Sequence, residues 1–281
     1  MASVLLALAA SCSWGVSDFL GGLTSRKLPL LWVLLLSQAV GLAMITPAAL
    51  LSGQAPVEGA PGMTAIGGSI AGLIGIAAFY RAIAIGVASV AAPISATGAT
   101  IPVAVGFLRG DPTSVGQQVG VILAILGVVL ASAHAPEQAA ELSRMPGIAI
   151  AFALLAALGF GIFFVLLHDA STYSVVWATF IQRLTSVSLL VLVTLAARPR
   201  LSAGWAQGRR ILAVGLLDQG ANILYGFAST VGLVSLAAVL ASLFPVVTIA
   251  LARVVLHERI SRVQQTGVTC VLAGVALIAG Q

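Results

Sequence analysis

Along this chain, apolar runs of about 20 residues alternate with short breaks at Gly, Pro and charged residues. The runs fall at 2–23, 29–51, 62–85, 90–108, 114–133, 146–167, 172–197, 209–231, 234–256 and 261–280. A bilayer core about 30 Å thick takes roughly 20 helical residues to cross. The pattern therefore predicts ten transmembrane helices and an all-α integral membrane fold. Only residues 86–89 separate the third run from the fourth, and only the region of Gly232 separates the eighth from the ninth. Each of these pairs is expected to form a tight helical hairpin. No stretch remains for a soluble domain.

The runs also repeat. TSVGQQVGVILAILGV at 113–128 parallels ISRVQQTGVTCVLAGV at 260–275 with a constant offset of 147, matching Ser114, Gln117, Gln118, Gly120 and Gly127 to Ser261, Gln264, Gln265, Gly267 and Gly274. Trp32 and Trp177, and Tyr80 and Tyr225, pair at 145, and Gly86-x-x-Ser89-x-Ala91-Ala92 pairs with Gly232-x-x-Ser235-x-Ala237-Ala238 at 146. The chain reads as a duplicated five-helix unit, residues 1–133 and 146–281, joined by a loop at 134–145. Five is odd, so the second copy must enter the membrane in the opposite sense. That gives the inverted-repeat architecture of many secondary transporters and suggests alternating access.

Composition agrees: 60% of the residues are hydrophobic and 7% charged, against about a quarter charged in soluble domains. A net charge of +5 does not point to nucleic acid, because Lys27 is the single lysine and the arginines are scattered at helix ends. Cys12 and Cys270 sit alone in apolar runs, so neither a disulfide nor a metal site is expected. The N-terminal MASVLLALAAS has no basic leader segment, which predicts a retained first span. Eleven of the thirteen basic residues fall at odd-numbered loops, whereas Arg109 stands alone on the other side and Arg183 lies mid-span. Cytoplasmic loops retain Lys and Arg, so the odd loops are expected in the cytoplasm and both termini outside. The bias is weaker in the first half, and the opposite orientation stays open there.

A charged side chain at mid-bilayer costs about 2.5 to 3.5 kcal/mol on insertion scales, so each one needs a local reason. Arg81, Arg253, His168 and Asp169 lie near span ends, where they reach the interface. Asp18, Arg183 and Asp218 do not. Asp218 lies about 13 Å into its run at about 1.5 Å per residue, and Arg183 is equally central. Asp218, Asn222 and Tyr225 share one helix face, as do Thr179, Arg183 and Ser186. These stripes predict either a hydrated cavity or a structural ion pair that fixes helix register. Asp18, on one face with Ser11 and Trp14, is expected either to pair with Arg81 or Arg26, in a structural or gating role, or to titrate at a cavity mouth and couple transport to protons. Gly68, Gly72 and Gly75 on the third run, Pro93, Gly98 and Pro102 on the fourth, and Pro245 on the ninth are read as close packing or as hinges.

The chain has no P-loop, no H-E-x-x-H, no G-x-S-x-G and no metal-spaced Cys/His set, so neither an enzyme nor a cofactor is expected. Trp14-Gly15, Tyr80 ahead of Gly86-x-x-Ser89-x-Ala91-Ala92, Gly232-x-x-Ser235-x-Ala237-Ala238 leading to Pro245, and HERISRVQQTGVTCVLAGVAL at 257–277 together resemble the drug/metabolite transporter superfamily in its ten-helix EamA-type branch. The pattern departs at Gly110-Asp111, which stands where the second half has His257-Glu258, and at Leu158-Gly159, which stands in place of a second Trp-Gly. The resemblance implies a small-metabolite transporter, commonly an exporter of amino acids, nucleosides or related compounds. Depth, helix face and repeat symmetry select Trp14, Gln38, Tyr80, Arg183, Asp218, Asn222 and Tyr225 as substrate-binding residues, with Asp18 and Asp218 for proton coupling or gating. The expected partners are a small-molecule substrate and the lipid bilayer. A channel, or a membrane scaffold with a purely structural Arg183/Asp218 pair, is the rival reading.

Overall fold

The computed structural model describes residues 1–25, 27–85, 94–132, 147–198, 205–256 and 262–279. The connector at 86–93 with its Ser89 motif, the loop at 134–145, Arg26 and His257-Glu258 lie outside the described residues. The first repeat contains α1 (Ala2–Ser25), α2 (Leu30–Leu51), α3 (Gly59–Ile85), α4 (Thr100–Leu108, preceded by a 3-10 turn at Thr97–Ala99) and α5 (Val115–Ser132). The second contains α6 (Gly147–Ser171), α7 (Val175–Ala197), α8 (Trp205–Val231), α9 in two pieces, α9a (Val234–Ala241) and α9b (Phe244–Leu256), and α10 (Arg262–Ala279). Three long helices followed by two short ones recur in each half. The six long ones are sufficiently apolar and long to cross a membrane, and the other four are shorter apolar helices.

Local sequence sets the helix ends. At the start of α5, the Gln117 N–H donates to Ser114 Oγ at 3.1 Å and the Ser114 N–H donates to Gln117 Oε1 at 3.0 Å. This is a reciprocal capping box, which accounts for the S-x-x-Q of the first repeat. Ser174 caps α7 by accepting the Trp177 N–H. The helix ends on Arg198 in the left-handed region (φ +46°), whose N–H reaches the Thr194 carbonyl. α8 and α9a are joined by Gly232 and Leu233 alone, as the hairpin expectation requires. Pro245 has no N–H to give the Ala241 carbonyl, and α9 breaks there, Leu243 N–H turning back to Leu240 and Val246 N–H to Leu243.

The two repeats interlock. Ser3, Ser13 and Ser17 of α1 donate to the carbonyls of Ala228, Leu217 and Val214 of α8 at 2.7, 2.9 and 3.1 Å. Residue numbers rise along α1 as they fall along α8, so the two helices are antiparallel. Since α8 is the second-repeat counterpart of α3, the copies run in opposite senses. Every principal contact has its symmetry mate: α3 packs on α6 as α8 packs on α1, α3 on α7 as α8 on α2, and α4 on α6 as α9 on α1. α2 with α7 and α5 with α10 meet across the pseudo-twofold axis itself. At the α5/α10 crossing the matched glycines exchange partners. A Cβ on Gly120 would lie 2.8 Å from the Gly274 carbonyl oxygen, and one on Gly127 would lie 2.8 Å from that of Gly267.

One expectation changes, and one pair of alternatives is decided. The counterpart of Trp14-Gly15 is Phe160-Gly161 rather than Leu158-Gly159. Gly15 admits Val247 and Phe244 of α9b, and Gly161 admits Gly98 and Ile101 of the fourth span, at the offset of 146 that relates the Gly232 motif to its mate. Leu158 is an exposed residue. The glycine stripe of α3 is a packing surface, because Cβ atoms on Gly72 and Gly75 would lie 2.8 and 2.9 Å from the rings of Phe163 and Phe160.

Candidate functional site

With α1, α2, α3, α6, α7 and α8 packed around the axis, their polar positions turn toward each other rather than toward lipid. They enclose a cavity with about 860 Å³ of empty space, its open mouth included. The C-terminal half of α1 supplies Trp14 and Asp18, the N-terminal half of α2 supplies Gln38, and the C-terminal half of α3 supplies Tyr80. Gln182 and Arg183 come from α7, Asp218 and Asn222 from α8, Phe160, Phe163 and Phe164 from α6, and Phe244 from the break in α9. The lining residues Asp18, Leu34, Tyr80 and Val214 lie nearest the odd-loop ends of α1, α2, α3 and α8, so the cavity extends toward that face. Its other end is shut by a core of Ala7, Ala10, Phe164, Tyr225, Leu236 and Leu240.

The floor is a charge network. Arg183 Nη2 stands 2.7 Å from Asp218 Oδ2, an ion-pair contact whose angles fall outside hydrogen-bond geometry. Arg183 Nε donates to Gln219 Oε1 and Nη1 donates to Gln38 Oε1. Asp218 in turn accepts from Trp14 Nε1 at 3.1 Å and from Gln38 Nε2 at 3.4 Å. Gln38 thus serves both ions, its oxygen on the cation and its nitrogen on the carboxylate. The Arg183 side chain is 7% exposed and that of Asp218 24%, so the carboxylate is the member of the pair that the cavity reaches. Asn222 Nδ2 donates to the Asp218 backbone carbonyl at 2.6 Å, one turn back on α8. On the opposite wall, Ser69 Oγ bonds the Gln182 carbonyl at 2.7 Å and Ser186 Oγ at 2.8 Å.

Seven of the eight residues selected from the sequence, Trp14, Asp18, Gln38, Tyr80, Arg183, Asp218 and Asn222, line this one cavity. Tyr225 does not. It is fully buried behind the wall, its hydroxyl donating to the Phe164 carbonyl at 3.0 Å and its ring 4.9 Å from Phe164 and 6.0 Å from Trp14. Asp18 has no hydrogen bond or ion pair among the described residues, and Arg81 is exposed at the end of α3. The cavity's aromatic wall was missed by sequence reasoning, although Phe160 stands 146 residues after Trp14, an offset already visible elsewhere in the repeat. Gln182 and Gln219, neighbours of the two ions, were missed as well, and the amide nitrogens of both are buried with no hydrogen-bond partner among the described residues.

On the closed face, Asp111 Oδ2 accepts from the Ser235 N–H at 3.3 Å and from Ser235 Oγ at 2.6 Å, capping α9a. Beside it, Arg109 bonds both carboxylate oxygens of Asp169, at 2.5 and 3.0 Å. The departure at Gly110-Asp111 is thus a helix cap that ties the first repeat's last loop to the second repeat.

Two comparisons place the chain. The profile of the EamA-like transporter family matches residues 1–133 and again residues 147–280, one match for each half. A crystal structure described only as that of a protein superposes with a TM-score of 0.79 at 18% identity, covering 98% of this chain and 96% of that one; it speaks to fold alone. No curated protein matches.

Proposed function

This chain belongs to the EamA-like transporter family, a family of secondary transporters rather than enzymes, and we propose that it moves a small organic metabolite across the cell membrane by alternating access. The reading is carried by the cavity: an aromatic-walled chamber with a polar floor between the two repeats, extending toward the odd-loop face and backed at its other end by a packed core. Orientation follows from the basic residues. The odd-loop face carries most of them and is the cytoplasmic face, both termini lie outside, and the cavity is the inward-open binding site of an exporter. Trp14, Tyr80 and the α6 phenylalanines stack on the substrate, while Gln38, Arg183, Asp218 and Asn222 form the polar floor. Asp18 and Asp218 are the carboxylates available for proton coupling. Amino acids, nucleosides and related compounds have the size and mixed polarity this chamber accommodates.

The test is release from liposomes loaded with a mixture of amino acids, nucleosides and small organic acids, with Asp218→Asn alongside. Loss of one compound through wild type, with its retention by Asp218→Asn, supports the carrier and names the substrate. Equal leakage from both, or none from either under an imposed proton gradient, overturns the site assignment in favour of a structural Arg183/Asp218 pair.

A further inference from the structure

Three charged side chains line the cavity, Asp18, Arg183 and Asp218. Arg183 and Asp218 neutralise each other, and the other two guanidinium nitrogens are spent on Gln219 and Gln38. Among the described residues, the lining is left with one carboxylate that has no counter-charge, Asp18. The other polar groups lining this part of the chamber are Trp14 and Ser17 of α1, Ser37 and Gln38 of α2, Tyr80 of α3, and Asp218 of α8, and none of them is a free cation. Lys27 and Arg81 are both exposed and have no ion pair with Asp18 among the described residues.

A carboxylate in a half-buried, low-dielectric chamber is costly until a proton or a cation joins it. The same cavity is lined by Trp14, Tyr80, Phe160, Phe163 and Phe244, and the faces of aromatic rings carry negative quadrupole charge and attract organic cations. Anions meet the opposite conditions: a net negative lining and a guanidinium with no nitrogen to spare. Building on the transporter reading above, we infer that the substrate is an organic monocation with an apolar or aromatic body, held by Asp18 among these rings. Asp18 carries either the proton or the cation, never both, so each turnover exchanges one cation outward for one proton inward. Net charge movement is zero.

The test uses three probes of similar size that carry ionic groups and cross lipid slowly: the cation benzyltrimethylammonium, zwitterionic phenylalanine and the anion benzenesulfonate. Release from proteoliposomes is followed under an inward proton gradient for wild type, Asp18→Asn and Asp18→Glu, together with binding of benzyltrimethylammonium to the purified protein at high and low pH. Wild type should release benzyltrimethylammonium at least about tenfold faster than the other two probes. Its binding should weaken as pH falls and Asp18 takes up a proton. Asp18→Asn should abolish the preference and the pH dependence, while Asp18→Glu should retain both. Asp18→Asn removes a charge that has no partner among the described residues, so the variant should fold, and a monodisperse elution profile checks it. Release of phenylalanine or benzenesulfonate in place of the cation overturns this inference and leaves the transporter reading standing, as does cation release that Asp18→Asn does not change. If wild type releases no probe yet still releases a component of the metabolite mixture, the cation assignment alone fails; if it releases nothing, both fail.

Discussion

At the scale of single residues, the decisive question is what the Arg183–Asp218 pair costs and what it supports. Removing one partner leaves the other charged, mostly buried and short of counter-charge, which typically destabilises by about 3–5 kcal/mol. Asp218 is the more exposed of the two, so the Arg183 variant, which leaves that carboxylate unpaired, lies at the lower end, and the Asp218 variant, which strands the buried guanidinium, at the upper. Arg183→Met and Asp218→Leu singly should each lower the thermal unfolding midpoint in detergent, and the double variant should recover most of the loss while transport stays absent. A double variant as unstable as the sum of the singles would show that the two side chains do not act as a unit. The ions were legible in the sequence because a charge inside an apolar run is conspicuous and demands a reason. Phe160 and Phe163 were not, because a phenylalanine facing the cavity is written the same way as lipid-exposed Phe107 or Phe227. Tyr225 misled for a related reason: helix face placed it with Asp218, but it sits two turns nearer the closed end, where the wall is already packed.

Among the helices, stability rests on backbones brought close by small residues rather than on hydrophobic burial, since lipid is as apolar as the protein interior. A Cβ on Gly159 would stand 2.7 to 2.8 Å from the Ala71 carbonyl oxygen and from the Gly75 backbone, neither of which is a flexible side-chain end. Gly159→Ala should therefore destabilise by about 1–3 kcal/mol. Gly22→Ala has nothing within 4 Å of the new methyl and should stabilise by about 0.5 kcal/mol through helix propensity. If both variants melt alike, close α3/α6 packing is not what holds that interface. The Asp111 cap of α9a is a further local contribution: Asp111→Ala should cost about 1 kcal/mol, measurable in the same melts, and a midpoint equal to wild type would remove the cap from the account. Helix number, the α8/α9 hairpin and duplication were legible because the repeat is written into residue types at fixed offsets. The break in α9 was marked by Pro245. Which helices touch across the repeats was not legible, because partner choice depends on small residues that also occur on lipid-facing surfaces.

For the molecule as a whole, inverted symmetry makes a statement about the state that the cavity does not occupy here. Tyr80 lines the open chamber, and its repeat mate Tyr225 lies sealed at the opposite end. Exchange of the two repeats' conformations would exchange the two environments, opening a second chamber beside Tyr225 while Tyr80 becomes buried. In a background with Cys12 and Cys270 replaced by alanine, Tyr80→Cys should react with a membrane-impermeant maleimide applied from the odd-loop face. Tyr225→Cys should react only from the other face, and only during turnover. Labelling at 225 without any turnover-linked loss at 80 would mean local opening of the wall rather than exchange. No labelling at 225 under any condition would remove alternating access between symmetric states. The two halves are not chemical equals in this cycle, since the offset of 146 that pairs Trp14 with Phe160 matches Asp18 with Phe164. The carboxylate belongs to one repeat only. A maleimide-labelled Tyr225→Cys carrier should therefore be arrested with its outer chamber open, still able to release the proton from Asp18 inward only if Asp18 lines both states. Measuring proton uptake by that arrested form, against the same form carrying Asp18→Asn, tests on which side of the membrane the titrating group is reached.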